Sequence, residues 1–159
     1  MSTQNKNLSS IENIPNAETA RFGIVVSDWN TEITSKLFEG AYQTLIQAGC
    51  TENHIKTVRV PGSFELPLAA QKLAESSYID AVICLGCVIQ GETPHFDFVC
   101  NACANGIMEV GLKYNKPVTF GVLTTLDLQQ AQDRAGGKYG NKGVEAAATA
   151  LIMLASLKK

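Results

Sequence analysis

Short apolar runs alternate along this chain with longer stretches in which apolar residues recur every three or four positions. Runs of the first kind predict buried strands, and the spacing of the second kind predicts helices that bury one face. The predicted strands are 22–26, 55–60, 81–89 and 118–123. The predicted helices are 31–48, 64–76, 94–114, a short helix opened by the capping-box pattern at 127–130, and 144–159. Strands that alternate with helices favour a parallel sheet with helices on both faces.

The third predicted strand, 81–89, is almost wholly apolar, which predicts burial on both of its faces. A loop containing Gly91 and Thr93 follows it, and Pro94 then favours the first turn of a helix. Exposed backbone N–H groups and the positive end of a helix dipole both favour an anion at this point. His95 follows directly, and imidazole can donate or accept a proton near neutrality. The stretch therefore predicts phosphate chemistry beside a proton-transfer group.

Clusters of polar and turn-forming residues follow each predicted strand, at 27–30, 61–65, 86–95 and 124–125. In parallel sheets of this kind, ligands bind beyond the carboxyl ends of the strands. The sequence therefore predicts one site at that edge of the sheet.

Composition limits the classes of protein to consider. A chain of 159 residues with 45% hydrophobic content fits one globular domain, predicted at 21–159, preceded by a flexible segment at 1–20. The net charge of -2 and the pI near 5.7 make nucleic acid an unexpected partner. The apolar runs are too short for a bilayer. The polar stretch 1–18 fits neither a signal nor a transit peptide, so we expect a cytoplasmic protein without membrane partners.

Four of the five cysteines form two C-x-x-C pairs, Cys84 with Cys87 and Cys100 with Cys103. This spacing is typical of zinc ribbons. However, residues three apart on a strand point to opposite faces, so Cys84 and Cys87 are not expected to share a metal ion. We interpret these cysteines as small buried apolar residues.

Five segments, taken in order, resemble the lumazine synthase family. They are Val-Val-Ser-Asp-Trp-Asn at 25–30, Val-Pro-Gly-Ser-Phe-Glu-Leu-Pro at 60–67, Leu-Gly-Cys-Val-Ile-Gln-Gly-Glu-Thr-Pro-His-Phe-Asp at 85–97, Phe-Gly-Val-Leu-Thr-Thr at 120–125, and Gln-Ala-Gln-Asp-Arg-Ala-Gly-Gly-Lys-Tyr-Gly-Asn-Lys-Gly at 130–143. The resemblance spans about 21–154. It implies a three-layer flavodoxin-like α/β fold with a four-stranded parallel sheet.

The resemblance also implies a reaction. The family condenses 5-amino-6-(D-ribitylamino)uracil with 3,4-dihydroxy-2-butanone 4-phosphate to 6,7-dimethyl-8-ribityllumazine, with release of phosphate and water. This is the penultimate step of riboflavin biosynthesis. Since no redox step occurs, the resemblance implies neither a cofactor nor a metal ion.

Residue by residue, His95 matches the proton-transfer histidine of the family. The implied phosphate ligands are Gly91, Glu92, Thr93 and Arg134. The implied ligands of the ribitylaminouracil are Trp29, Asn30, Ser63, Phe64, Glu65, Cys87, Val88, Ile89, Phe120 and Lys142. Of these, Phe120 and Lys142 resemble residues that an adjacent subunit contributes.

Each of these residues also has an ordinary structural interpretation. His95 fits a surface or capping histidine, and Arg134 fits a favourable cation in the last turn of a helix. Ser63 fits a helix cap with Glu65 in the first turn. Trp29, where the family commonly has Phe, fits a packing residue, whereas stacking on the pyrimidine suggests that riboflavin is also retained there. Phe120 fits a core strand residue, and Lys142 fits a solvated lysine.

The resemblance implies a pentamer, and many members of the family assemble twelve pentamers into an icosahedral shell. Riboflavin synthase is a candidate partner, and the sequence leaves open whether such a shell encloses it. The short connection at 136–143 resembles the shell-forming members. Residues 1–20 either add a strand to a neighbour or fray. Two rival interpretations stay open at this point: a flavodoxin-like module that binds a flavin or phosphate without turnover, and a purely structural shell protein.

Overall fold

The computed structural model describes residues 13–157 and contains a four-stranded parallel sheet in the order β2-β1-β3-β4. The strands are β1 (Phe22–Ser27), β2 (Ile55–Val60), β3 (Ala81–Ile89) and β4 (Val118–Thr125). The helices are α1 (Thr31–Gln47), α2 (Leu66–Glu75), α3 (His95–Tyr114), α4 (Leu128–Asp133) and α5 (Lys142–Leu157). Two very short strands, β5 (Ala135–Gly137) and β6 (Gly140–Asn141), form a separate antiparallel hairpin. The predicted flavodoxin-like fold is confirmed.

Two apolar cores lie on the two faces of the sheet, because successive side chains of a strand point to opposite sides. Ile24 and Ile83 belong to the core beneath α1 and α5. Val25 and Val82, the adjacent residues of the same strands, belong to the core beneath α2 and α3. The central strands are therefore buried on both faces, as the unbroken apolar run of β3 predicts.

Helix and strand ends agree with the predicted punctuation to within a few residues. Pro94 occupies the capping position before α3, and Asn115 ends that helix in the left-handed conformation with φ 50°. The carboxylate of Asp127 accepts a hydrogen bond of 2.8 Å from the N–H of Gln130, which confirms Asp127 as the cap of α4. The reciprocal bond of a capping box is displaced by one residue, since the side chain of Gln130 accepts from the N–H of Leu126 at 3.1 Å. The hairpin of β5 and β6 is not predicted, because strands of two or three residues carry no detectable periodicity.

The segment before β1 is partly packed. The N–H of Ala17 donates to the carbonyl oxygen of Ala48 at 2.8 Å, and Ala17 and Ala20 are buried in the α1 and α5 core. Residues 13–20 of the predicted flexible segment therefore contribute to the globular unit. Residues 1–12, including their predicted flexibility or added strand, lie outside the described residues.

The C-terminal helix α5 packs closely against α1. Gly143 allows this contact, because a Cβ there would overlap the carbonyl oxygen of Leu37. The side chain of Asn141 donates to the carbonyl of Lys36 at 2.9 Å and accepts from the N–H of Gly143 at 2.8 Å. No helix within residues 13–157 has the length and apolar character needed to cross a membrane.

Candidate active site

A pocket of about 390 Å³ lies at the carboxyl ends of β1 and β3, at the edge of the sheet where the sequence predicts a site. It brings together most of the residues predicted from the sequence. These are Trp29, Asn30, Ser63, Phe64, Cys87, Val88, Ile89, Gly91, Thr93 and His95.

Trp29 stands at the mouth of this pocket on the loop after β1, and 74% of its surface is exposed. The loop is tied to β2: the N–H groups of Asp28 and Trp29 donate to the carbonyls of Val60 and Pro61 at 2.8 and 3.0 Å. Arg59 adds an ion pair of 2.6 Å to the carboxylate of Asp28. Trp29 is therefore presented outward by a fixed backbone and is not a packing residue within one chain.

Asn30 adopts the left-handed conformation, φ 60° and ψ 48°, which asparagine tolerates better than most residues. Its side-chain amide donates to the carbonyl of Cys87 at 3.0 Å. Asn30 thus connects the end of β1 to the end of β3 and orients the main chain of the pocket wall.

The turn Ser63–Glu65 forms a third wall. The carboxylate of Glu65 accepts from the N–H of Gly62 at 3.0 Å, so it caps this turn and does not line the pocket. Ser63 makes no capping hydrogen bond, so its interpretation as a helix cap is wrong. Its hydroxyl is buried and finds no hydrogen-bond partner among the described residues. Phe64 is 61% exposed and lines the same pocket as Trp29.

The loop between β3 and α3 offers backbone donors. Gln90 anchors it through an N–H bond of 2.9 Å to the carbonyl of Thr125. Within residues 13–157, the N–H groups of Gly91, Glu92 and Thr93 have no hydrogen-bond acceptor. After Pro94, the 20-residue helix α3 begins at His95, whose side chain is exposed and lines the pocket. This arrangement favours an anion beside an imidazole.

Phe120 and Lys142 do not line this pocket. They lie instead in a groove of about 800 Å³ that runs along α3, β4 and α5, which we call the edge groove. Phe120 is 40% exposed there, so its interpretation as a core residue is wrong. Lys142 forms an ion pair of 2.5 Å with Glu145. The remaining walls of the edge groove are mostly apolar and include Met108, Leu112 and Met153.

Arg134 and Glu92 are also absent from the pocket lining. Arg134 is half-buried at the end of α4, where its Nη1 donates to the carbonyl of Gln130 at 3.0 Å. Its guanidinium carbon lies 4.9 Å from the centre of the Tyr139 ring. Asp133, the adjacent acid, accepts instead from Gln129 at 3.0 Å.

The cysteines are distributed as the strand geometry predicts. Cys84 belongs to the core beneath α2 and α3, whereas Cys87 belongs to the core beneath α1 and α5. Burial raises the pKa of the Cys87 thiol to about 11 and that of Cys103 to about 12. Across residues 13–157, no group of three or more His, Cys, Asp or Glu side chains is placed to hold a metal ion.

Comparison with known proteins decides the family. Residues 19–158 match the family model described as 6,7-dimethyl-8-ribityllumazine synthase. The chain belongs to this lumazine synthase family. Relatives named 6,7-dimethyl-8-ribityllumazine synthase include that of Cytophaga hutchinsonii, 62% identical over 98% of both chains. The proteins of that name from Parabacteroides distasonis and Flavobacterium johnsoniae are 52% and 50% identical, over 97% and 96% of this chain and 98% and 82% of their own lengths.

The pocket also contains three residues that the sequence interpretation missed: Gly62, Phe96 and Val99. Val99 lies four residues after His95 on α3, so the two share one helix face. The helical spacing was therefore a usable signal for Val99. Gly62 was visible as part of the turn after β2.

Proposed function

We propose that this chain, as a member of the lumazine synthase family, is a transferase of riboflavin biosynthesis. It condenses 5-amino-6-(D-ribitylamino)uracil with 3,4-dihydroxy-2-butanone 4-phosphate to 6,7-dimethyl-8-ribityllumazine and releases phosphate and water. The observation that carries the proposal is one pocket holding an exposed imidazole, unpaired backbone donors and aromatic side chains.

In this reaction an amine attacks a ketone to form an imine, phosphate is eliminated, and the second nitrogen closes the ring with loss of water. The protein must hold the two substrates together and move protons between nitrogen, carbon and oxygen. His95 supplies the proton transfers, since its imidazole reaches the pocket from the first residue of α3. Trp29 and Phe64 hold the pyrimidine ring by stacking.

The phosphate is bound by the loop before α3. Its three unpaired N–H groups and the dipole of α3 act on the same anion. Glu92 contributes through its main chain, because its carboxylate would repel phosphate. Arg134 adds a guanidinium, whose fork of donors fits phosphate oxygens. The polar groups of the ribityl chain and the pyrimidine bind Asn30, Ser63 and the main chain of 87–89. Glu65 lies outside the pocket lining, and we propose that its carboxylate, while it holds the N–H of Gly62, also accepts from ribityl hydroxyls.

Phe120 and Lys142 complete the site from a second copy of the chain. This proposal is supported by their position in the edge groove and by the exposed apolar side chains around them, which favour association. By family resemblance the assembly is a pentamer, with an icosahedral shell of twelve pentamers and riboflavin synthase as a candidate guest. By family resemblance we place the protein in the cytoplasm.

The main test mixes the purified protein with both substrates and follows the absorbance of lumazine, with His95→Ala and Arg134→Ala measured alongside. We expect product from the unaltered protein and loss in both variants. A protein that binds substrate or riboflavin but forms no product would establish the binding module instead, and one that binds neither would favour the structural shell.

A second test asks whether the site is shared between copies. Chains carrying His95→Ala and chains carrying Lys142→Ala are denatured, mixed and refolded together. If the two residues serve one site from different copies, the mixture regains part of the activity that neither variant has alone. A mixture no more active than its components would contradict the shared site.

A further inference from the structure

We propose that Tyr139 is a positioning residue for Arg134, holding its guanidinium ready for the phosphate group. The inference rests on the proposed phosphate role of Arg134 and adds a second residue to it. The ring of Tyr139 and the guanidinium carbon of Arg134 lie 4.9 Å apart, within the range of a cation–π interaction.

Arg134 has no acidic partner within residues 13–157. Among residues 13–157, no Asp or Glu side chain lies within ion-pair distance of it. The side-chain hydrogen bond that Arg134 makes in that part of the chain goes from Nη1 to the carbonyl of Gln130. A carbonyl and an aromatic face orient the cation without neutralising it. The remaining donors and the full positive charge stay available for an anion.

Lys142 provides the contrast. This second cation of the proposed site is paired with the carboxylate of Glu145 at 2.5 Å, so its charge is already compensated. The carboxylate nearest to Arg134 in sequence, Asp133, is occupied by the amide of Gln129 at 3.0 Å. The local structure thus keeps acids away from Arg134 while it holds the side chain in place.

The backbone fixes the ring relative to the guanidinium. The N–H of Tyr139 donates to the carbonyl of Asp133 at 2.7 Å, and the N–H of Lys142 donates to the carbonyl of Arg134 at 2.9 Å. At Gly137 the main chain runs so close to α4 that a Cβ would meet the carbonyl oxygen of Gln132 at 2.7 Å. Hairpin and helix end therefore form one unit, and the stacking does not depend on a mobile loop.

A second cation shares the ring, since Nζ of Lys138 lies 5.0 Å from its centre. An arginine that is already ordered loses less side-chain freedom when phosphate binds, which strengthens binding. Removal of the ring should therefore weaken phosphate binding and leave the pyrimidine half of the site unchanged.

The test compares Tyr139→Leu with Tyr139→Phe, which keeps the ring and serves as the matched control. The readouts are the dissociation constant of inorganic phosphate by calorimetry, KM for each substrate, and kcat. For Tyr139→Leu we expect phosphate affinity and KM for the butanone phosphate to worsen by about threefold to fivefold. KM for the ribitylaminouracil should not change, and Tyr139→Phe should stay within about twofold of the unaltered protein.

Arg134→Gln separates the possible failures. If it weakens phosphate binding while Tyr139→Leu and Tyr139→Phe behave alike, Arg134 binds phosphate and the positioning role of Tyr139 is wrong. If Arg134→Gln leaves phosphate binding unchanged, the phosphate role itself is wrong, and the inference falls with it. If Tyr139→Leu raises both KM values equally and lowers the melting temperature, the residue only supports the fold.

Discussion

The candidate active-site pocket and the edge groove are two depressions within residues 13–157, and they differ in what lines them. The pocket, of about 390 Å³, combines unpaired backbone donors, an imidazole and aromatic side chains. The groove, of about 800 Å³, is mostly apolar; of its two lysines, Lys142 is paired with Glu145 and Lys116 donates to the carbonyls of Ala74 and Ser76. The first is equipped to bind a charged small molecule, whereas the second is equipped for association with another surface.

The volume of a depression therefore does not indicate which one holds the polar groups that a reaction needs. The larger depression lies beside β4, an edge strand, and would be covered in an assembly. The pocket lies at the ends of two strands and the start of α3. There the backbone N–H groups of 91–93 find no hydrogen-bond acceptor within residues 13–157. The following variants test this division of roles, from the largest expected effect to the smallest.

His95→Ala should cause the largest loss. Removing a positioned proton-transfer group lowers kcat by about 10²-fold to 10⁴-fold, while substrate binding changes little. His54→Ala is the matched control, since His54 lies before β2 and outside the pocket. Steady-state measurement of lumazine formation gives kcat and KM. An equal loss in both variants would remove the special role of His95.

Phe120→Asp should affect the edge groove and, through it, the pocket of the adjacent copy. A charge placed in an apolar interface costs association, so we expect smaller species in sedimentation and a fall of about 30-fold in kcat/KM. Phe120→Leu keeps an apolar side chain and should retain the assembly. An unchanged assembly with full activity in Phe120→Asp would show that the groove is not an interface.

Trp29→Ala should raise KM for the ribitylaminouracil by about tenfold, because stacking on a planar base is lost. Trp29→Phe keeps a ring and should retain most of the affinity. Trp29 is the single tryptophan, so fluorescence quenching reports ligands at the pocket directly. Riboflavin should also quench it, and a titration without quenching would reject the hypothesis of bound riboflavin.

The smallest effect concerns Cys87, which lines the pocket but keeps its thiol buried. Burial raises its pKa to about 11, so the unfolded chain loses the thiol proton first as the pH rises. The contribution of the protonated Cys87 thiol to the free energy of unfolding is therefore fully present below about pH 8 and is lost as the pH rises towards 11. Denaturant unfolding should show a loss of about 1 kcal/mol from Cys87 between pH 8 and pH 10. Cys87→Ala should lack that part of the loss.

The layers of the fold and most of the pocket could be predicted because their signals are local. The apolar run of β3, the loop with Gly91 and Thr93, and His95 are consecutive in the sequence. The exposure of Phe120 could not be predicted, because an apolar residue on an edge strand has the same pattern as one in the core. The other residues that line the edge groove lie on α3 and α5, and the tertiary packing of these helices, not the local sequence pattern, places them beside Phe120.

Ser63 and Tyr139 show a second limit. A serine before a helix predicts a cap, but here the capping position belongs to Gly62, and Ser63 is the first residue of the turn with its hydroxyl buried. The stacking of Tyr139 on Arg134 depends on a hairpin whose strands are too short to predict. Such contacts follow from the backbone path and not from residue type.

The close packing of α1 against α5 has a consequence for synthesis of the chain. The apolar face of α1, with Leu37 at its centre, is completed only by a helix that begins about a hundred residues later, at Lys142. The ribosome makes the chain from its N-terminus, so the apolar face of α1 that packs against α5 stays exposed while β2 to β4 are made. The face of α1 that α5 covers therefore stays exposed until residues 142–157 have been made, and exposed apolar surface of this kind promotes aggregation.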